Sequence, residues 1–108
     1  MRSLKLLPFL AILTFPASAN AQYPIIFNHA LNISISQELC ESKAETAVKQ
    51  AGFTENFEPI GLGAFGVSGR YSASVRCEAD NGIVFFAVAG PDNNTTKRLV
   101  VRLKGSFR

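Results

Sequence analysis

Apolar and polar residues alternate along Tyr71-Ser72-Ala73-Ser74-Val75-Arg76-Cys77-Glu78. This alternation is typical of a β-strand that buries one face and exposes the other, and it turns Cys77 toward the core. The chain continues through Asn81-Gly82, a strong hairpin-turn signal, into the apolar run Ile83–Ala89. The sequence therefore predicts two neighbouring antiparallel strands here.

An extended segment and a helix are predicted upstream of this hairpin. Residues 23–33 are interpreted as an opening strand because apolar and polar residues alternate at their end. In the next stretch, Ser34 and Gln37 match a capping box, and Gly52 stands where a helix-ending glycine belongs. The predicted buried face of this helix carries Cys40, Ala44, Ala47, Val48 and Ala51.

Two further segments are less regular. Residues 53–69 mix apolar side chains with four glycines and Pro59, which predicts a loop followed by a short or bulged strand. The C-terminal residues suit a strand or a helix, and we favour a helix because its apolar residues would form one stripe. The predicted order is β-α-β-β-β-α, a small antiparallel sheet with two helices on one face, of class α+β.

The first 21 residues have the three-part layout of a secretory signal peptide. A basic start with Arg2 and Lys5 leads into an apolar run, residues 6–15, and then into A-x-A patterns ending at Ala19 and Ala21. The apolar run is too short to cross a bilayer as a helix. We expect cleavage after Ala19 or Ala21, and a mature chain (residues 22–108) that is one periplasmic or secreted domain without a transmembrane segment.

Charge and cysteine content narrow the class of the mature chain. Removing 21 of the 108 residues leaves 87, with nine basic and eight acidic residues and a net charge of +1. So small a charge gives no support to a nucleic-acid partner.

Cys40 and Cys77 are the two cysteines, 37 positions apart. An even pair in an oxidising compartment predicts a disulfide, and two cysteines with one distant histidine are too few for a zinc site.

A glycine-rich stretch matches a nucleotide-binding pattern by letter alone. Gly61-Leu62-Gly63-Ala64-Phe65-Gly66 fits G-x-G-x-x-G, but no buried strand precedes it and no helix follows it. We therefore expect no nucleotide cofactor there. The glycines indicate a hairpin arm or a bulged strand, and the alternative is an anion site formed by Gly61, Gly63, Gly66 and Arg70.

Two surfaces are candidate interfaces. If Ile83, Phe85, Ala87 and Ala89 face the helices, then Val84, Phe86 and Val88 form an exposed apolar patch. The glycine-rich arm covering this patch is the alternative. The C-terminal segment contains no acid after Asp92 and presents a basic face that includes Arg98 and Arg102. Such a face is either an ordinary solvated surface or a contact for an anionic partner.

Three stretches carry a resemblance to known proteins: residues 69–77, the run Val84–Pro91, and a cysteine-bearing helix that ends in Ala51-Gly52-Phe53. In these stretches the chain resembles a set of small exported proteobacterial proteins of uncharacterised function. The matching residues are structural, so the resemblance implies a shared fold and export and carries over no functional residue.

The sequence as a whole favours a non-catalytic binding module. Its expected partners are a second copy, an envelope protein or an anionic surface. No nucleophile–base motif occurs and His29 has no identifiable partner, so no catalytic residue, metal or cofactor is predicted. The alternative is a small-ligand or anion-binding protein, or an enzyme, that uses the Gly61–Arg70 loop.

Overall fold

The computed structural model describes residues 23–108, so the predicted signal peptide lies outside the described residues. Seven main elements follow in order, with a short 3₁₀ turn at Ala79–Asn81 between the last two strands. They are β1 (Ile25–Asn32), α1 (Gln37–Gln50), β2 (Glu55–Pro59), β3 (Gly63–Ser68), β4 (Tyr71–Glu78), β5 (Ile83–Gly90) and α2 (Asn93–Phe107).

The strands form one antiparallel sheet in the order β1-β5-β4-β3-β2. Both helices lie on the same face, with α1 packed mainly against β3 and β4 and α2 mainly against β1 and β5. The predicted α+β class, the antiparallel sheet with two helices on one face, and the helical C-terminal segment are confirmed.

The structure contains one strand more than the predicted order, because residues 53–69 form the hairpin β2–β3. Gly61 adopts a φ of +77° in the turn, and the N–H of Ile60 donates to the carbonyl of Gly63 at 3.0 Å. Strand β2 lies at the sheet edge, and four of its five residues are exposed. An edge strand of this kind buries too little to show an apolar alternation, which is why periodicity missed it.

Helix α1 begins two residues later than predicted. Ser36, rather than Ser34, is the N-cap, and its hydroxyl accepts a hydrogen bond from the N–H of Leu39 at 3.1 Å. The Gln37 side chain contacts the end of β4 instead of completing a capping box. Its Nε2 donates to the carbonyl of Cys77 at 3.0 Å, and its Oε1 accepts from the N–H of Ala79 at 2.9 Å.

The predicted disulfide is present and joins α1 to β4 beside the Gln37 contacts. Cys40 and Cys77 are both buried, with their Cα atoms 6.0 Å apart. The predicted buried face is also confirmed, since Cys40, Ala44, Ala47 and Val48 of α1 are buried together with Ala51, the C-cap. These small residues let the helix approach the sheet closely. A Cβ on Gly66 of β3 would overlap the carbonyl of Phe53, just beyond the helix.

The predicted exposed patch on β5 is wrong, because Val84, Phe86 and Val88 are fully buried beneath the helices. The register gives the reason. Cys77 lies directly opposite Val84, and opposed residues of an antiparallel pair project from the same face of the sheet. Since Cys77 is bonded to α1, the even-numbered residues of β5 must also face the helices. The alternate residues of β5, including the 44% exposed Phe85, point the other way.

The N-terminus of α2 is tied to β4 by a side-chain network. Asp92 is the N-cap, and its Oδ2 accepts from the N–H of Thr95 at 2.9 Å. The Tyr71 hydroxyl donates a hydrogen bond to the other carboxylate oxygen of Asp92. The ring of Tyr71 packs directly against Gly90 on its way to Asp92, and a Cβ on Gly90 would overlap that ring.

This network predicts a pH window for stability. The hydrogen bonds from Tyr71 and from the N–H of Thr95 lower the pKa of the Asp92 carboxyl. The same bond to Asp92, together with partial burial, raises the pKa of the Tyr71 hydroxyl. The Asp92 contribution is therefore fully present above about pH 4 and lost as the pH falls through the lowered pKa. The Tyr71 contribution is fully present below about pH 10 and lost as the pH rises through the raised pKa.

Thermal unfolding of the protein and of its Asp92→Asn variant, measured from acidic to alkaline pH, checks this window. We expect the variant to be less stable than the parent at neutral pH. The difference should shrink below the folded-state pKa of Asp92, where the parent carboxyl is itself neutral. A difference that stays constant across the acidic range would contradict the assignment.

Candidate functional site

The face of the sheet opposite the helices is the main candidate site, and we call it the open face. Its centre is a floor of small side chains from β4 and β5. Larger apolar side chains stand around it, with Ile26 61% exposed and Phe85 44% exposed. A shallow depression of about 200 Å³ lies over the floor, lined on this face by Ile26, Phe65, Ser72, Ser74, Ala87 and Ala89.

Charged residues lie at one end of the open face. The Nε of Arg76 donates to the Oε2 of Glu78 at 2.6 Å in an ion pair on the exposed surface of β4. Surface pairs of this kind add little to stability. The open face therefore has a floor of small serine and alanine side chains beside larger apolar ones, and it becomes charged toward the β4–β5 turn, which is the arrangement of a contact surface with a polar margin.

The predicted anion site of Gly61, Gly63, Gly66 and Arg70 is not formed. Gly61 and Gly63 lie at the start of β3, whereas Arg70 follows its end. A strand of six residues spans about 20 Å, so the arginine cannot close a loop around those glycines. A Cβ on Gly63 would overlap the carbonyl of Val75, and Gly66 meets Phe53. Gly63 and Gly66 therefore lie where neighbouring backbone leaves no room for a Cβ atom.

Arg70 instead lines a second cavity, at the end of the sheet where β1 begins and β5 ends, which shares Ser72 and Ala89 with the open-face depression. The volume of this second cavity is about 350 Å³, and its other lining residues are Tyr23, Pro24, Ser72, Ala89, Gly90 and Pro91. One guanidinium, the hydroxyls of Tyr23 and Ser72, and several apolar surfaces meet there. This combination can accept a small anion with an apolar part.

The basic residues of α2 divide between two sides of the helix. The Nη1 of Arg102 lies 3.4 Å from the carbonyl of Ala51 at the end of α1. On the other side, the Nζ of Lys104 lies 3.5 Å from the Nδ1 of His29 in β1. Arg98 is exposed to solvent. Arg98 and Arg102 therefore do not join the apolar residues of the sheet in one surface.

Residues 23–108 contain no group of three or more His, Cys, Asp or Glu side chains that could hold a metal ion. This part of the chain also has no helix long and apolar enough to cross a membrane. The whole chain matches no family model, no curated protein and no solved structure.

Proposed function

We propose that this protein is a small exported, disulfide-linked interaction module that binds its partner through the open face. The basic and apolar N-terminal pattern with its A-x-A sites supports export to the periplasm or beyond. The Cys40–Cys77 bond is compatible with an oxidising compartment. No catalytic step is part of the proposal.

One observation carries the binding proposal. Both helices pack on one face of the sheet, and no other element within residues 23–108 covers the exposed Ile26 and Phe85 on the opposite face, where Phe65 is half-buried. Exposed apolar side chains grouped on one surface of a small domain are typical of protein interfaces. The low floor between them gives a protruding side chain of a partner a place to pack. An envelope protein or a second copy supplies such a side chain.

Native mass spectrometry of the protein, purified without reductant from the envelope fraction of its own cells, tests the proposal. We expect a complex with a second polypeptide for the parent protein and its loss in Phe85→Ser. Val101→Ser is the matched control, because Val101 is a similarly exposed apolar residue, 54% exposed, on α2. Loss of the complex in both variants, or in neither, would count against the open face.

The Arg70 cavity supports a second candidate function, the binding of a small anionic ligand. The specific observation is a guanidinium lining a cavity of about 350 Å³. In the same mass spectra this function predicts a monomer that carries a small-molecule adduct, and Arg70→Gln should remove the adduct. If the protein is a monomer with an adduct, and the Phe85→Ser variant still carries that adduct, the second function is favoured over the first.

A further inference from the structure

The two edges of the sheet are built differently. Edge strand β2 contains Glu55, Glu58 and Pro59, and its register with β3 shifts between the two glutamates. Asn56, within this irregularity, adopts a φ of 49°. Ile60 bonds toward β3 through Gly63, so the backbone of the preceding residue, Pro59, points outward from the sheet. Proline has no N–H, so this position cannot donate a hydrogen bond to an added strand. Charge, proline and bulge together protect this edge from pairing with another strand.

Edge strand β1 lacks all three protective features. Its eight residues pair with β5 in one unbroken register from Ile25 to Asn32. None of them is Lys, Arg, Asp, Glu or Pro. A long, regular and uncharged edge is the kind that accepts an additional strand.

The register identifies the backbone groups that point outward from β1. The N–H of Ile33 donates to the carbonyl of Gly82 at 2.9 Å, so this position bonds toward β5. Bonded and non-bonded pairs alternate along an antiparallel ladder. The N–H of Cys77 donates to the carbonyl of Leu62, so the backbone of Cys77 bonds toward β3 and not toward β5. Val84, opposite Cys77, therefore bonds toward its other partner, Leu31 of β1, which gives the same alternation. The free N–H and C=O groups therefore belong to Ile26, Asn28, Ala30 and Asn32.

Basic side chains lie beside this edge on the helix side. Lys104 contacts His29 of β1, and Lys97 lies seven residues earlier on the same side of α2. Neither residues 23–37 nor residues 93–108 contain an aspartate or glutamate. An added strand would thus direct alternate side chains toward uncompensated lysines and the others toward the open-face side, next to Ile26 and Ala30.

We propose that β1 binds an extended segment of a partner protein as a sixth strand, with acidic residues facing α2 and apolar residues between them. Charge selects this occupant over a second copy. Pairing β1 with its own copy about a two-fold axis would bring the lysine-bearing sides of two α2 helices together, because α2 packs beneath β1. Like charges would oppose each other there, whereas acidic side chains complement them.

This edge adjoins the open face at Ile26 and Ala30, but it binds through the backbone groups of β1 whereas the open face binds through side chains, so different variants test the two proposals. Phe85→Ser leaves the outward groups of β1 unchanged. Ala30→Pro removes one outward N–H and leaves Phe85 and the bonds between β1 and β5 in place.

Fluorescence anisotropy with two labelled nine-residue peptides tests the edge on the oxidised protein. One peptide alternates valine with glutamate, and the other alternates valine with lysine. We expect the glutamate peptide to bind at least about tenfold more tightly than the lysine peptide, with an affinity that falls as salt is added. Ala30→Pro should weaken this binding by a similar factor.

A second pair of variants keeps the test decisive if Ala30→Pro disturbs folding. Lys97→Glu should weaken binding of the glutamate peptide, whereas Arg98→Glu changes the net charge equally on another side of the helix and should leave it nearly unchanged. Equal effects of these two variants, equal binding of both peptides, or no binding of the glutamate peptide would each overturn the proposal. A peptide-free dimer that Ala30→Pro dissociates would also overturn it and assign the edge to a second copy.

Discussion

Replacing Cys40 and Cys77 together by alanine is expected to lower the free energy of unfolding by about 4 kcal/mol. The bond closes a loop between positions 37 residues apart, and opening it restores conformational freedom mainly to the unfolded chain. Small domains are stable by only about 5–15 kcal/mol in total. The loss therefore removes a large part of the stability, and urea denaturation of the oxidised parent and of the double variant measures it.

The parent protein unfolded in the presence of reductant is the matched control, since it loses the bond but keeps both sulfur atoms in the core. Its denaturation midpoint should fall close to that of the double variant. Midpoints that coincide for the oxidised parent and the double variant would show that the bond adds nothing to stability.

Phe86→Ala is expected to cost about 3–5 kcal/mol, which is typical of removing a large buried aromatic side chain. Phe86 is fully buried, and its ring meets that of Phe107 edge-on with centroids 5.4 Å apart. The substitution leaves a cavity between β5 and α2. Chemical denaturation gives the change in unfolding free energy, and near-ultraviolet circular dichroism reports the loosened aromatic packing.

Phe85→Ala, one position earlier on the same strand, is the matched control. Phe85 lies on the open face and is 44% exposed, so its truncation should cost less than about 1 kcal/mol. The two variants remove the same side chain from opposite faces of β5. The reverse order of effects would mean that the faces of β5 are assigned the wrong way round.

The elements that the sequence predicts well are those with strong periodicity. Strand β4 alternates along its whole length, α1 carries its small residues on one face, and α2 carries its apolar stripe. Strand β2 escaped prediction because an edge strand with one half-buried residue leaves almost no pattern. Helix starts are equally hard to place, since Ser34 and Ser36 are both good N-cap residues.

The faces of β5 were predictable and the prediction was nevertheless wrong. A two-residue turn at Asn81-Gly82 would set Cys77 opposite Phe86, and the observed wider turn sets it opposite Val84. Both registers place the even-numbered residues of β5 on the same face as Cys77. Because the disulfide already required Cys77 to face α1, that requirement applied to Phe86 as well, and Phe85 was the side chain to consider for an interface.

The candidate sites themselves depend on information that local patterns do not carry. Which strands lie at the edges of the sheet follows from pairing between distant segments, such as β1 with β5. Likewise, Arg70 joins Tyr23 and Pro91 in one cavity only after the sheet has formed. Spacing along the chain had grouped Arg70 with glycines at the opposite end of β3.

The Gln37 contacts have a consequence for the order of events during maturation. Gln37 holds the end of β4 through two hydrogen bonds that need no oxidant, so the reduced chain can already bring its two thiols together when it folds. This raises their effective concentration for each other. With two cysteines in the chain, only one intramolecular pairing exists. Oxidation of the two thiols therefore forms the observed bond directly, with no wrong intramolecular pairing to correct.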